Sequence, residues 1–273
     1  MLKDISANPA ALRGHSYFVM AHPGHELRLF GWLQNVHPTV SILTKGSRSG
    51  FCGRVDASAK VVEECGAKRG KMFGAIYDRD FYQFVLGNDI QPFHDWIDAL
   101  RDEFIDASPE LVVADSWQTY NVAHDLLHVM ARVALAEAGR RTGKASQFYD
   151  YAVVPDQLVP NIAHSKKDLS ITLDAQLLQK KIHTAKIYPD IGEELEEIAS
   201  LEGIEALAHE TLCVPPPLEM LLAEPATQPL YEVYGEQRVA SGTYGDVIRW
   251  SHVAPIARQL AARLQAVPVK VYA

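Results

Sequence analysis

Short apolar runs rich in β-forming residues alternate with longer segments of helical periodicity over the first 155 residues of the chain. The apolar runs are 16–20 (SYFVM), 39–43 (TVSIL), 72–76, 109–114 (PELVVA) and 148–154. Helical patterns fill the intervals at 27–33, 54–65, 92–105 and 124–138. Parallel strands need a crossover that a helix usually supplies, and nearly continuous apolar runs are typical of strands covered on both faces. The order predicts an α/β fold with a Rossmann-like, mainly parallel sheet flanked by helices.

The remaining residues follow a different pattern. They predict a helix at 173–188, an acidic helical stretch at 193–205, one or two strands between 231 and 248, and a last helix at 255–266. We interpret residues 1–273 as a single domain with a core at about 16–155 and a C-terminal extension at about 156–273. A domain boundary near 155–170 is the alternative.

Charge and composition narrow the class of protein. The net charge of −8 provides no positive field for a polyanion, so we expect no nucleic-acid partner. No apolar run approaches the roughly 20 residues that cross a bilayer, and residues 1–13 contain no apolar signal core, which predicts a cytoplasmic protein without a membrane span. Three widely spaced cysteines indicate neither a disulfide framework nor a cysteine zinc site.

Histidine is the unusual residue, with eleven in the chain, and four of them lie in two segments that follow strands. His22 and His25 come directly after the first run, and His124 and His128 begin the helix that follows the fourth. The carboxyl ends of parallel strands share one edge of a sheet, where ligands bind. Three imidazoles meeting there would leave a coordination position open on Zn²⁺ or another divalent transition metal, although such spacings also occur in purely structural histidines.

Both segments resemble motifs of one enzyme family. Residues 19–26 (VMAHPGHE) are similar to the A-H-P-D-D-E motif that opens the LmbE-like (PIG-L) de-N-acetylases. Residues 109–115 and 124–134 resemble the strand, loop and H-x-D-H motif with which that family enters a helix. The resemblance covers about residues 16–155. It implies a zinc-dependent hydrolase that removes the acetyl group from an N-acylated sugar or glycoconjugate, a small-molecule substrate; it leaves a homo-oligomer open.

The resemblance also assigns residues. It places the metal on His22, His25 and His128, and it places the family's presumed general base on Gly24, which has no carboxylate. His124 lies four rather than three residues before His128. The missing base favours an alternative: a non-catalytic or re-purposed protein that binds a sugar or metabolite on the same fold.

The remaining candidates surround these motifs. We expect His124 to protonate the leaving amine, and Asp125, Asp115 or Glu26 to act as base or to orient the histidines. For substrate binding, the resemblance indicates Arg54, and the loop before His124 offers two aromatic side chains and an amide, Trp117, Tyr120 and Asn121.

Overall fold

The computed structural model describes residues 3–4, 13–46, 53–160, 162–186, 188, 191, 200 and 203–265. Its strands form a single sheet of eight, with helices on both faces, which confirms the predicted α/β class. The strands are β1 (Lys3–Asp4), β2 (Ser16–Met20), β3 (Thr39–Thr44), β4 (Lys68–Ile76), β5 (Leu111–Asp115), β6 (Gln147–Tyr151), β7 (Lys166–Thr172) and β8 (His209–Val214).

The sheet is mainly parallel. Its order is β1-β7-β8-β6-β5-β2-β3-β4, and the antiparallel pairs are those that β8 makes with β6 and β7. β2 lies between β3 and β5, with Tyr17 opposite Thr39 on one side and Val112 on the other. The carboxyl ends of these three strands therefore lie side by side, and the loop that follows each can contribute to one site.

Two apolar layers enclose the sheet. The described helices are α1 (Phe30–Val36), α2 (Gly53–Glu64), α3 (Asp78–Leu86), α4 (Gln91–Ala107), α5 (Val122–Thr142), α6 (Ala175–Ala185), α7 (Leu218–Leu221), α8 (Leu230–Ala240) and α9 (Trp250–Ala262). The buried side chains of α3, α4, α5 and α9 pack together on one face, and those of α1, α2 and α6 pack on the other. No helix in the described part of the chain is long and apolar enough to span a bilayer.

The region after residue 155 departs most from the sequence prediction. The strands predicted between 231 and 248 are wrong, because residues 230–240 form α8. Its Gly235 sits where a Cβ would lie 3.1 Å from Val247, so the glycine permits close packing of the helix rather than a turn between strands. β7 and β8 join the same sheet as the core strands, so this region completes the sheet. Of the predicted acidic helix, residues 193–199, 201 and 202 lie outside the described residues.

Candidate metal centre

Three imidazole rings meet at the carboxyl edge of the sheet, and we call them the histidine cluster: His22, His25 and His124. Their ring centres are 5.4 Å apart for His22 and His25, 5.0 Å for His22 and His124, and 4.7 Å for His25 and His124. His22 directly follows the strand β2 and Ala21, His25 begins a short 3-10 helix, and His124 lies in the first turn of α5. The two predicted histidine segments therefore do come together.

His22 is fixed through one ring nitrogen. Its Nδ1 lies 2.8 Å from Thr44 Oγ1 and 2.9 Å from Asp78 Oδ1, while its buried Nε2 has no hydrogen-bond partner among the described residues. Burial lowers the pKa of His22, but the nearby carboxylates of Asp78 and Asp115 outweigh this effect and hold the pKa above its ordinary value. Asp78, at the start of α3, therefore orients the ring.

His25 is paired with Asp115 at the end of β5. Its Nδ1 lies 3.1 Å and 3.0 Å from the two carboxylate oxygens, so the ring donates to Asp115 from Nδ1 and Nε2 is the nitrogen on the other side of the ring. Asp115 also accepts from the Ala21 N–H at 2.8 Å and from the Tyr151 hydroxyl. Burial opposes the ionised form, but His25 and His124 together hold the pKa of Asp115 well below its usual range.

His124 lies innermost in the cluster. It is 2% exposed, and neither ring nitrogen has a hydrogen-bond partner among the described residues. Burial, and next the neighbouring His25, hold the pKa of His124 well below its ordinary value, so the ring is neutral at pH 7. A buried neutral imidazole with two unpaired nitrogens is costly unless another group binds it, and a metal ion binds this form.

Imidazole is a usual ligand of transition-metal ions, and the ring spacing of the histidine cluster is compatible with one. Imidazoles at zinc–nitrogen distances of 2.0–2.1 Å and tetrahedral angles have ring centres roughly 5 Å apart, close to the observed spacing. By the distances between ligand atoms, the group found among the described residues is His25, Asp115 and His124, whose ligand atoms all lie within 4.8 Å of one another; His22 is not part of that group. Carboxylates that pair with the Nδ1 atoms of His22 and His25 are the usual outer partners of metal-binding histidines.

His128, predicted as the third ligand, contacts the end of β5 and Arg132, and it is not part of the group of His25, Asp115 and His124 whose ligand atoms lie close together. It is fully buried, its Nδ1 donates to the Asp115 backbone oxygen at 2.9 Å, and its Nε2 lies 3.5 Å from Arg132. Burial, and next the Arg132 guanidinium, lower the pKa of His128 to about 3. His128 thus binds the backbone at the end of β5. His124, one helical turn earlier, has its ring beside those of His22 and His25.

Asp125 contacts the loop that precedes α5. Its Oδ1 accepts from the backbone N–H groups of Gln118 at 2.9 Å and Thr119 at 3.2 Å. Burial raises the pKa of Asp125 well above its usual range. The Asp125 carboxylate therefore holds the loop between β5 and α5 in shape, and its predicted part as base or in orienting the histidines stays a prediction.

Gly24 adopts a backbone conformation that few other residues would accept. Its φ is +101°, and a Cβ at this position would lie 2.2 Å from Ile191 Cδ1. Its N–H donates to the carboxylate of Glu26 at 2.9 Å, which also accepts from Ser58 and Tyr188. Glu26 therefore holds the loop between His22 and His25, and the space beside Gly24 is filled by a side chain from the C-terminal region.

The predicted substrate residues differ in their contacts. Asn121 caps α5 by accepting from Ala123 at 2.8 Å, and the Tyr120 ring centre lies 6.2 Å from that of His124. Trp117 is buried and packs edge-on against Trp250, which indicates a role in packing. Arg54 is the second residue of α2, and its Cδ lies 3.4 Å from the position that a Cβ on Gly46 would take, near Pro23 of the histidine loop.

Sequence reasoning missed three residues that contact the histidine cluster or its partner Asp115, namely Thr44, Asp78 and Tyr151. Thr44 ends β3 and its hydroxyl donates to Asp78 at 3.0 Å. A signal for Thr44 existed, since a polar residue at the end of a buried strand faces the same edge as His22. Asp78 gave no such signal, because α3 was not predicted.

Comparisons with known proteins gave structural similarities only. No protein-family model and no curated protein matches the chain. N,N'-diacetylchitobiose deacetylase from Pyrococcus horikoshii, complexed with its inhibitor MPG, aligns over 78% of this chain and 88% of its own at 17% identity, with a TM-score of 0.47. The A40926 pseudoaglycone deacetylase Dbv21 aligns over 78% of this chain and 100% of its own at 16% identity and a TM-score of 0.46. The conserved protein TT1542 from Thermus thermophilus aligns over 74% and 95% at 15% identity and a TM-score of 0.42.

Proposed function

We propose that this protein is a metal-dependent hydrolase that removes an acyl group from the nitrogen of an amino sugar or glycoconjugate. The observation that carries the proposal is the meeting of His22, His25 and His124 at the carboxyl edge of the sheet, with unpaired buried nitrogens. The resemblance of residues 19–26 to the de-N-acetylase motif supplies the reaction class.

We assign the metal, zinc or another late divalent ion, to His22, His25 and His124. Asp115 lies as close to His25 and His124 as a ligand would, but its oxygens already accept from Ala21, His25 and Tyr151. His22 Nε2, by contrast, is buried without a partner among the described residues. Asp115 then acts through His25, which it orients and makes more basic.

When bound, such a metal supplies Lewis acidity toward an acyl carbonyl and toward water. The chain's own residues prepare the cluster for this role. Asp78 and Asp115 hold the Nδ1 protons of His22 and His25, which directs both Nε2 lone pairs away from those carboxylates. With His124 assigned to the metal, its predicted role as acid is given up. Tyr120, Asn121 and Arg54 are the proposed substrate contacts.

Metal analysis combined with an activity assay tests the proposal. Purified wild-type protein is expected to contain about one equivalent of metal and to release free amine from N-acetylglucosamine. His124→Ala should lose both, whereas His128→Gln, which retains a donor for the Asp115 carbonyl oxygen, should retain the metal. A His124→Ala variant with unchanged metal content and activity would contradict the assignment.

A second candidate function is metal and sugar binding without turnover. Gly24, at the position of the family's base, offers no proton acceptor, and Ile191 fills the space beside it. Under this alternative the wild-type protein binds metal and N-acetylglucosamine but releases no amine, and the same assay separates the two functions.

A further inference from the structure

A cavity of about 290 Å³ lies between the second half of α5 and the start of β6, and we call it the α5 cavity. None of the residues that line it belongs to the histidine cluster. Its walls are largely apolar and include Leu135, Ala136 and Phe148. Arg132 and Lys144 also line it, and none of its described lining residues is acidic. In a chain with a net charge of −8, this local excess of positive charge favours an anionic ligand.

Arg132 is a half-buried cation that pairs with no carboxylate of the described residues. Its Nη1 donates to the Pro216 backbone oxygen at 2.8 Å and lies 3.5 Å from Nε2 of His128, a ring that is neutral at pH 7. Burial lowers the pKa of Arg132, and the more distant carboxylates of Asp150 and Glu219 oppose this effect. These contacts do not use the Nε and Nη2 edge of the guanidinium, which can hold a carboxylate through two parallel hydrogen bonds.

The charged end of Arg132 lies beside an aromatic wall. Its guanidinium carbon is 5.9 Å from the ring centre of Phe148, and both residues line the cavity. A ligand paired with Arg132 would therefore also meet apolar side chains. Inorganic phosphate would leave these walls uncovered, whereas an uncharged apolar molecule would leave the guanidinium without a partner. The combination matches a carboxylate attached to an apolar body.

The other polar groups of the cavity are already bonded to the loop that precedes β5. Lys144 Nζ donates to the Ser108 hydroxyl at 2.7 Å, and the Ser146 hydroxyl donates to the Pro109 backbone oxygen at 2.6 Å. Lys144 therefore contributes positive charge, while Arg132 is the residue positioned to pair with a ligand.

We propose that the α5 cavity binds a small carboxylate with an apolar body, held by the Arg132 guanidinium and the Phe148 wall. The ligand is small because the volume lies at the lower end of the usual range for ligand pockets, roughly 300–1,000 Å³. Lys144 and Ala145 are exposed, so the cavity opens to solvent. The proposal does not depend on the proposed function, because it uses no residue of the histidine cluster.

Calorimetry with benzoate tests the site. Wild-type protein as purified is titrated with benzoate, with uncharged benzyl alcohol and with inorganic phosphate. Benzoate should bind about tenfold tighter than either of the other two, because it alone supplies both the carboxylate and the apolar ring. Arg132→Gln, which retains a donor for the Pro216 oxygen, should weaken benzoate binding about tenfold or more. Ala136→Leu should weaken it as well, because the larger side chain fills the cavity.

Arg141→Gln provides the matched control, since it removes the same charge from α5 at an exposed residue that does not line the cavity. It should leave benzoate affinity within about twofold of wild type. His124→Ala separates the site from the candidate metal centre, because carboxylates also bind metal ions; benzoate affinity should be retained in this variant.

Equal affinities for benzoate and benzyl alcohol, or for benzoate and phosphate, would overturn the site. So would an equal loss in Arg141→Gln and Arg132→Gln, or a loss of benzoate binding in His124→Ala. If circular dichroism shows that Arg132→Gln does not fold, Ala136→Leu decides, and unchanged benzoate binding in that variant would overturn the proposal.

Discussion

Replacing Gly24 by alanine tests how the loop that carries His22 and His25 is held. Gly24 has φ +101°, and the added Cβ would lie 2.2 Å from Ile191 Cδ1. Two costs therefore arise. A non-glycine residue at this φ costs about 1–2 kcal/mol. Displacing the end of the Ile191 side chain from its rotamer costs about 1 kcal/mol more.

We therefore expect Gly24→Ala to lower the free energy of unfolding by about 2–3 kcal/mol. Gly143 provides the matched control, since it has φ +70° and a Cβ added there would meet no atom within 4 Å. Gly143→Ala should show the backbone cost alone, about 1–2 kcal/mol. The difference between the two variants then measures the contact with Ile191.

Urea unfolding followed by circular dichroism measures the free energy of unfolding of both variants. The same measurement on Ile191→Ala and on the variant that carries both Gly24→Ala and Ile191→Ala completes a double-mutant cycle. The double variant should be about 1 kcal/mol more stable than the sum of the single effects predicts, because Ile191→Ala removes the overlapping atom. If Gly24→Ala costs no more than Gly143→Ala, or if the cycle shows no coupling, Ile191 does not cover the loop and the reasoning fails.

Three further predictions follow from the same geometry. Gly24→Asp should not restore a general base, and amine release should stay at or below the wild-type rate, because the side chain meets Ile191. Asp115→Asn should lower metal affinity about 10–100-fold, whereas His22→Ala should abolish metal binding. Equilibrium dialysis measures both affinities. A larger loss in Asp115→Asn than in His22→Ala would make Asp115 the ligand. Burial raises the pKa of Asp150 to about 7 in the folded protein. Between the lower pKa of an aspartate in the unfolded chain and pH 7, the folded protein therefore binds one more proton than the unfolded chain. Relative to Asp150→Asn, wild-type unfolding free energy should therefore rise by about 1 kcal/mol per unit as pH falls from 7 to 5; a flat difference would exclude this.

The core of the fold could be predicted because its signals are local. The runs that became β2, β3 and β5 are continuously apolar, and each is fully buried except for Thr39 at the start of β3. β7 (KKDLSIT) and β8 (HETLCV) lie toward one edge of the sheet and mix charged with apolar residues, so neither pattern was evident. α8 contains β-forming Tyr and Val, and its helical state depends on packing that the sequence does not display.

The contacts that shape the histidine loop depend on residues distant in sequence. Ile191 and Tyr188 reach Gly24 and Glu26 from more than 160 positions away, and Asp78 reaches His22 from a helix that lacked a clear pattern. No local rule relates these residues to the motif. Sequence reasoning therefore located the motif residues and the edge of the sheet, while the groups that orient them became evident only from tertiary packing.

The choice between His124 and His128 shows where motif spacing reaches its limit. Both lie on one face of α5, and a separation of four residues places them roughly 6 Å apart along the helix axis. Because α5 begins at Val122, capped by Asn121, the first turn stands level with the ends of β2 and β5, and only His124 lies in that turn. His128, one turn further along the helix, instead packs edge-on against the Phe148 ring and donates to the Asp115 carbonyl oxygen. The start of the helix, rather than the spacing of the two histidines, determines which of them lies beside His22 and His25.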